Sequence, residues 1–445
     1  MRRIFPGLFL ISLFCAADSV AQETVALTLD QAIDYAIKNS AAARNARIDV
    51  EIQHAKNREV TGRTLPQINA QGKYQNYLDP MKTVLPGDFV GAPGTSVIIP
   101  FSVKHNANLG ITGSQLLFNG SLFVALQARD ALMEMARNNA VMKEEDVRVQ
   151  VIKAYRALVI AQRQFEVLKG SIAVVRKGNS DLQATYKAGL VEKLEVDRNT
   201  VQLNNLESDS INTANGIEVA SQLLKYNMGM EVNTPVVLVD SNLDEPVADA
   251  DKLLLRDLPY ENRTQFNVLK SALRLQEYDL KRYRFEGLPT LTLTGNAGYN
   301  YSAAQFDALV RARYLTSSFY LFQLDIPIFD GWQRRSRVKQ AKLNVEKATN
   351  DLENARIGID FQTKSAKIAL TSALQTLESR RRNEQLARSV YDLTNKKYAA
   401  GVGSNQDVIL AQGDWLNAQN NYFIALKSLL DAETDLQKSL GLLSK

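Results

Sequence analysis

Two carboxylates occupy matching places in the amino-acid sequence, each six residues after a glycine. The stretch YKAGLVEKLEV contains Gly189 and Glu195, and the stretch YAAGVGSNQDV contains Gly401 and Asp407. Carboxylates at such positions attract cations and repel anions, which is electrostatic selection rather than bond chemistry. The alternative interpretation is that both are solvated residues of ordinary turns.

The rest of the chain offers little for catalysis or metal binding. His54 and His105 are far apart in sequence and form no metal-binding pair. The only cysteine, Cys15, lies in a predicted signal segment, which excludes disulfides and thiol chemistry from the mature chain. We find no nucleophile and base constellation and no phosphate-binding loop. The net charge of +5 is too small for a nucleic-acid-binding surface. We therefore expect no enzyme activity, no cofactor, no metal and no nucleic acid.

The first residues, MRRIFPGLFLISLFCAADSVAQ, have the pattern of a secretory signal. Arg2 and Arg3 precede an apolar run, and SVA provides a cleavage site after Ala21. Phe14 stands before Cys15, where lipid-attachment sequences need a small residue, so we do not expect lipidation. The mature chain is predicted to be exported.

The two glycine turns belong to a sequence that is duplicated over nearly its whole mature length. The last three of the matched pairs below are each 212 residues apart, whereas the first is 223 residues apart. The first copy therefore has about a dozen extra residues before its FNG. The matched residues are Pro66 and Pro289, Gly120 and Gly331, Tyr186 and Tyr398, Gly189 and Gly401, and Gly229 and Gly441.

Each copy is predicted to begin with a helix and continue with a β-hairpin. Thr28 and Gln31 have the spacing of a capping box, and Pro259 suits the first turn of the second copy's helix. The hydrophobic period then changes from 3.6 to 2, as in PTLTLTGNAGYNY, where apolar and small polar residues alternate.

The predicted strands are typical of a membrane barrel, because they are about ten residues long, alternate in polarity and end in aromatic residues. The same alternation also occurs at the edge of a soluble sandwich. Two hairpins give four strands, fewer than the eight or so that close the smallest membrane barrel. Either the strands do not span a membrane, or several chains share one barrel.

The remainder of each copy is predicted to be a long helical hairpin. A seven-residue repeat typical of coiled coils runs from Val151 to Tyr186, and Glu384 interrupts the corresponding repeat of the second copy. From Gly120 to Gly189 one continuous helix would reach on the order of 100 Å. The phrases YKAG and YAAG then mark the turns at the far tips of the two hairpins.

The order, spacing and duplication of these features resemble the TolC family of outer-membrane efflux proteins, and the resemblance covers the whole mature chain. It implies a mainly α fold with membrane β-strands and two structural repeats per chain. Three chains would form a twelve-stranded outer-membrane barrel that continues into an α-helical coiled-coil barrel across the periplasm. This trimer agrees with the strand count above.

The resemblance also divides the chain into segments. These are a signal peptide, 1–21; a periplasmic helix, 22–65, a barrel β-hairpin, 66–118, and a coiled-coil helical hairpin, 119–228, of the first repeat; an equatorial linker, 229–257; and a helix, 258–288, a barrel β-hairpin, 289–330, and a coiled-coil helical hairpin, 331–445, of the second repeat.

The implied function is a passive exit duct of a tripartite efflux or type I secretion system. Its implied partners are two further copies of the chain, a periplasmic adaptor of the membrane-fusion class, an inner-membrane transporter of RND, ABC or MFS type, and outer-membrane lipid. The alternative is a periplasmic coiled-coil adaptor or structural protein. An adaptor carries a single coiled-coil hairpin, so the duplication favours the duct.

The resemblance assigns roles to single residues. Asp407 and Glu195 would line the constriction at the periplasmic end, where three copies form a ring that favours cations. The family has an arginine where this chain has Gly403, and a second acidic ring where it has Leu410. The residues expected to form the tip turns and the adaptor docking surface are Tyr186, Gly189, Tyr398, Gly401 and Gly403.

Trp332 directly follows FDG and precedes three arginines. An aromatic and basic segment of this kind is typical of the edge of a membrane, so Trp332 is expected to be an interface anchor. The alternative is an ordinary helix start. The two tip tyrosines have an alternative role as well, as packing residues that shape the turns.

Overall fold

The computed structural model describes residues 25–91, 93–239, 252–257, 259–309, 311 and 313–444. The predicted signal, 1–21, including Cys15, and residues 240–251 of the predicted linker lie outside these ranges. The chain divides into two compact units. Within the described ranges, unit 1 contains residues 25–43, 146–239, 252–255 and 366–437, and unit 2 contains residues 44–91, 93–145, 256–257, 259–309, 311, 313–365 and 438–444.

The helices and strands follow the order of the predicted segments. The helices are α1 (Leu29–Asn39), α2 (Ala41–Gly62), α3 (Gly120–Gln127), α4 (Arg129–Lys187), α5 (Lys193–Met228), α6 (Thr264–Phe285), α7 (Gln333–Ala399) and α8 (Asn405–Ser439), with single turns at Gly87–Val90, Tyr260–Asn262 and Phe306–Leu309. The strands are β1 (Val25–Leu27), β2 (Gln67–Asn76), β3 (Lys82–Pro86), β4 (Ser96–Pro100), β5 (His105–Phe118), β6 (Val236–Leu238), β7 (Thr290–Ala303) and β8 (Leu315–Asp325).

The first predicted helix is two helices in the structure, because the chain leaves the helical conformation at Ser40 (φ −60, ψ 141). The Ser40 hydroxyl then accepts a hydrogen bond from the backbone N–H of Ala43 at 3.3 Å, which caps the start of α2. The capping box predicted for α1 is present between Thr28 and Gln31. Where one helix was expected from Gly120, α3 ends and α4 begins on either side of Ala128.

Unit 2 contains a four-stranded antiparallel sheet in the order β2, β5, β7, β8. The central pair joins the two predicted hairpins, with Leu109 opposite Tyr299 and Ile111 opposite Ala297. On the other face polar side chains bond across the same pair, and Asn296 donates to Thr112 at 2.9 Å. The period-2 pattern therefore gives the sheet one apolar and one polar face.

The long segment between β2 and β5 contains a hairpin of its own, β3 and β4, where the sequence predicted only a loop. Its strands alternate between exposed and partly buried residues, and Val84 lies opposite Ile98. The β-branched residues of TSVIIP favour extended backbone, which explains why this Pro- and Gly-rich segment pairs with itself.

Unit 1 has a helical core from α4, α5, α7 and α8, and a small parallel pair of strands, β1 and β6. A buried ion pair lies in this core, in which Arg156 Nη1 is 2.9 Å from Glu433 Oε2 and also donates to the carbonyl oxygen of Leu430. No helix of the described residues is long and apolar enough to cross a membrane.

Candidate functional site

Helix α4 ends at the first glycine turn, where two backbone hydrogen bonds are nested, one inside the other. The N–H of Gly189 donates to the carbonyl of Tyr186 at 2.8 Å, and the N–H of Leu190 donates to the carbonyl of Thr185 at 3.1 Å. This is the Schellman arrangement, which needs a left-handed residue after the helix, and Gly189 supplies it with φ of 75°.

The second glycine turn ends α7 with the same bonds. The N–H of Gly401 donates to the carbonyl of Tyr398 at 2.9 Å, and the N–H of Val402 donates to the carbonyl of Lys397 at 3.1 Å. Gly401 also has φ of 75°. The repeated spacing of tyrosine and glycine therefore has a local cause, since the tyrosine carbonyl is the acceptor for the glycine N–H.

Both predicted acidic residues lie in the first turn of the helix that follows. Asp407 is in the first turn of α8, and its backbone N–H donates to the hydroxyl of Ser404 at 3.1 Å. Glu195 is in the first turn of α5, capped at Glu192. A negative charge at this end of a helix interacts favourably with the helix dipole. Asp407 is exposed, and Glu195 is half-buried.

The structure distinguishes the two tip tyrosines. Tyr398 lies close enough to Glu195 for the carboxylate to act on it, and the pKa of Tyr398 is raised, first by burial and then by Glu195. Tyr186 is exposed instead. The turn of the second copy is thus brought beside the acidic residue of the first.

A further contact between the two tips was not predicted from the sequence. Arg198 Nη1 donates to Gln406 Oε1 at 2.7 Å, which joins the second turn of α5 to the first turn of α8. Arg198 follows Glu195 by three residues, and Gln406 precedes Asp407, so both lie one helical turn or less from the acidic residues. The short sequence distance of Arg198 and Gln406 from the two acidic residues is the signal that could have drawn attention to this contact.

Gly403 lies against the end of α7. A Cβ at this position would be 3.1 Å from the backbone nitrogen of Tyr398 and 3.3 Å from the carbonyl carbon of Lys397. Any larger residue would therefore need α7 or the turn to shift by a few tenths of an ångström. Leu410, at the place of the family's second acidic ring, is exposed.

Glu384, which interrupts the heptad pattern of the second copy, has a specific partner in the structure. Its carboxylate accepts a hydrogen bond from the indole N–H of Trp415 at 2.9 Å, and the Trp415 ring stacks on Tyr391 at 5.4 Å between centroids. In the first copy the corresponding positions, 172 and 203, are Ile172 and Leu203, which pack in an apolar cluster. A polar pair thus replaces an apolar pair at the same place in the second hairpin.

Trp332 lies at the start of α7 in unit 2, beyond the end of β8. It is 62% exposed and has φ of 67°, which is unusual for a residue other than glycine. Its ring contacts Phe329 edge-on at 5.9 Å, and the guanidinium of Arg335 lies 5.5 Å from its centroid.

The described ranges contain no group of three or more His, Cys, Asp or Glu side chains that could hold a metal ion.

Comparison with known proteins agrees with these features. The family model described as outer membrane efflux protein matches residues 260–442. The CmeC outer membrane channel of Campylobacter jejuni superposes with a TM-score of 0.69 at 19% identity, over 93% of this chain and 85% of that one. The C-terminal part of the chain thus matches the outer membrane efflux protein family. Its fold is that of these outer-membrane channels, as the sequence predicted.

The curated relatives of the chain are distant in sequence, but the matches to them are long. The outer membrane protein TolC of Vibrio cholerae is 22% identical over 76% of this chain and 77% of its own length. The alkaline protease secretion protein AprF of Pseudomonas aeruginosa is 23% identical over 68% of this chain. The match spans 63% of AprF, less than two thirds of its length. The family consists of channel proteins rather than enzymes.

Proposed function

We propose that this chain is the outer-membrane channel of a tripartite efflux or type I secretion system. It would act as a passive exit duct for substrates passed from an inner-membrane transporter of RND, ABC or MFS type through a periplasmic adaptor. The observation that carries the proposal is the combination in one chain of an open antiparallel sheet and two long helical hairpins. One relative is named for protease secretion and another for toluene efflux, so the relatives favour a role in secretion as well as one in efflux.

The sheet supports a trimer. Among the described strands, β2 and β8 form the two edges of the sheet, and neither has a second neighbour. Every residue of β8 is exposed. Long unpaired edges are unfavourable because they leave a row of backbone N–H and C=O groups unbonded. Three copies joined edge to edge would give twelve strands and close both edges in one outer-membrane barrel.

The helical tips support a cation-favouring constriction. Asp407 and Glu195 both lie in first turns of helices that start at the tips, and the hydrogen bond from Arg198 to Gln406 joins the two hairpins there. In a trimer, three copies of each carboxylate would lie around the axis and lower the entry barrier for positively charged solutes. The adaptor would dock on the turns of Tyr186, Gly189, Tyr398, Gly401 and Gly403.

The runner-up, a periplasmic adaptor, is disfavoured by the two helical hairpins. The likeness in fold to CmeC also covers 93% of the chain. An adaptor would place its strands in small soluble domains and would not need the two free edges of the sheet.

The test is single-channel conductance of the purified full chain in planar bilayers. Wild type is expected to give discrete, cation-preferring steps, and Asp407→Ala is expected to reduce the cation preference and weaken block by divalent cations. Asp181→Ala is the matched control, since it removes one exposed carboxylate from α4 outside the helix starts. Protein that stays soluble and never inserts would support the adaptor instead. Unchanged ion selectivity in Asp407→Ala would show that Asp407 does not line the constriction.

A further inference from the structure

Three arginines lie at the start of α7, in the sequence WQRRSR that follows the sheet. Arg337 is 3.4 Å from the carboxylate of Glu286. Arg334 and Arg335 have no acidic side-chain partner among the described residues. Unpaired cations at a helix N-terminus are unfavourable, because the helix dipole is positive at that end. Two positive charges thus have no counter-charge on a described side chain and are open to an anionic ligand.

The fold does not require these arginines. Counted from the matched glycines of FNG and FDG, the corresponding residues of the first copy are Phe123, Val124 and Leu126. They belong to α3, in which Val124 is almost completely buried. The same helix start is built from apolar residues in the other copy, so a helix can begin here without Arg334 and Arg335.

The backbone before the arginines is held in a conformation that directs Trp332 outward. Gly331 and Trp332 both have positive φ, 64° and 67°. This conformation is strained for a tryptophan, and strain of this kind persists mainly where it serves a site. The exposed ring lies beside Arg335 and Phe329, and Phe329 and Ile328 are themselves 74% and 90% exposed. An aromatic and apolar surface therefore adjoins the unpaired charges.

The side chain of Arg334 occupies space that is open only because residue 287 is a glycine. A Cβ at Gly287 would lie 2.8 Å from Cζ of Arg334, so the guanidinium occupies the space over the turn between α6 and β7. Its backbone N–H donates to the carboxylate of Asp330 at 2.9 Å. The Arg334 guanidinium thus lies over the turn between α6 and β7, where the helix meets the sheet.

We propose that Trp332, Arg334 and Arg335 bind the phosphate of an anionic phospholipid headgroup, of the phosphatidylglycerol class, at the periplasmic edge of the membrane. Guanidinium groups match phosphate oxygens in paired hydrogen bonds, and tryptophan favours the interface. Ile328 and Phe329 contact the acyl chains of the same lipid. The site continues directly from the strands β7 and β8, and it rests on the proposed function, because it needs that sheet to lie in the membrane.

The experiment compares lipid retention by the purified trimer, using native mass spectrometry from detergent with added phosphatidylglycerol, phosphatidylcholine or inorganic phosphate. The double variant Arg334→Gln and Arg335→Gln is expected to bind phosphatidylglycerol about 30-fold more weakly, the effect of two basic residues beside an anionic membrane. Phosphatidylcholine binding should not change. The control, Arg380→Gln with Arg381→Gln, removes the same charge from an exposed part of the same helix and should retain the lipid.

Three outcomes would overturn the proposal. They are equal affinity of the wild type for the two lipids, undiminished phosphatidylglycerol binding by the double variant, and inorganic phosphate that competes as well as the lipid. Bilayer conductance separates this failure from failure of the proposed function. A double variant that inserts and conducts while keeping its lipid preference refutes only the lipid site, whereas a wild type that never inserts refutes the duct.

Discussion

Gly229 lies directly against Asn39, so that a Cβ on Gly229 would approach the carbonyl oxygen of Asn39 to 2.7 Å. Gly441 lies in the same way against Asn262, and both glycines have φ of 70°. In each copy the glycine that follows the returning helix therefore lies against a residue two positions before the start of a 22-residue helix, α2 or α6. Two independent constraints, the positive φ and the close approach, specify glycine here.

These constraints can be separated by two alanine variants. Gly229→Ala combines a left-handed alanine with a clash against backbone, and we expect it to lower the free energy of unfolding by roughly 2–4 kcal/mol. Gly401→Ala has a similar φ of 75° but open space around the new Cβ, so a loss of about 1 kcal/mol is expected. Denaturant unfolding of both variants in detergent checks the order. Equal losses would mean that the close approach relaxes at no cost.

The tip turns and the strands could be predicted from the sequence because their causes are local. The Schellman bonds of Gly189 and Gly401 join residues three and five apart, and the sheet follows from alternation along each strand. The approach of Tyr398 to Glu195 and the partner of Glu384 were not predictable. They depend on how helices that are distant in sequence pack together, which no periodicity along one helix specifies.

The Trp415 and Glu384 pair should behave as a coupled unit. Trp415→Phe removes the donor and leaves a half-buried carboxylate without this bond, so we expect a loss of about 1–3 kcal/mol in unfolding free energy. Glu384→Leu alone leaves only an indole N–H unbonded, and the double variant, which resembles the apolar first copy, should recover much of the loss. A double-mutant cycle measures the coupling. Additive losses would show that the bond contributes nothing.

Alkaline pH should loosen the tip through Tyr398. Its pKa is raised above 10.0 by burial and by Glu195, so the folded protein holds the phenol proton more tightly than the unfolded chain does. The corresponding stability is full below about pH 10 and is lost as the pH rises through the raised pKa. The midpoint of thermal unfolding should therefore fall less steeply above pH 10 in Tyr398→Phe than in wild type.

Two further variants identify what causes the midpoint of thermal unfolding to fall with pH above pH 10. Glu195→Gln removes the smaller contribution and keeps the burial, so an intermediate slope is expected. Tyr186→Phe changes the exposed tyrosine of the other turn and should match wild type. A Tyr398→Phe variant with the wild-type slope would show that Tyr398 does not control the alkaline transition.

The bond from Arg198 to Gln406 should help to keep the proposed duct closed. It joins the second turn of α5 to the first turn of α8 within one chain, so its loss frees the two tips to separate. Because both side chains are exposed, the bond is weak, and we expect Arg198→Ala to shift the closed-to-open equilibrium by about two- to fivefold per chain. The measurement is open probability in planar bilayers.

The gating experiment must distinguish the loss of the hydrogen bond from the loss of the positive charge of Arg198. Gln406→Ala removes the acceptor and leaves the net charge unchanged, so it should raise the open probability as much as Arg198→Ala does, and the double variant should add nothing. Arg388→Ala removes an exposed arginine from α7 and should leave gating unchanged. If only the two arginine variants altered gating, the effect would be electrostatic, and the bond between the tips would have no part in closure.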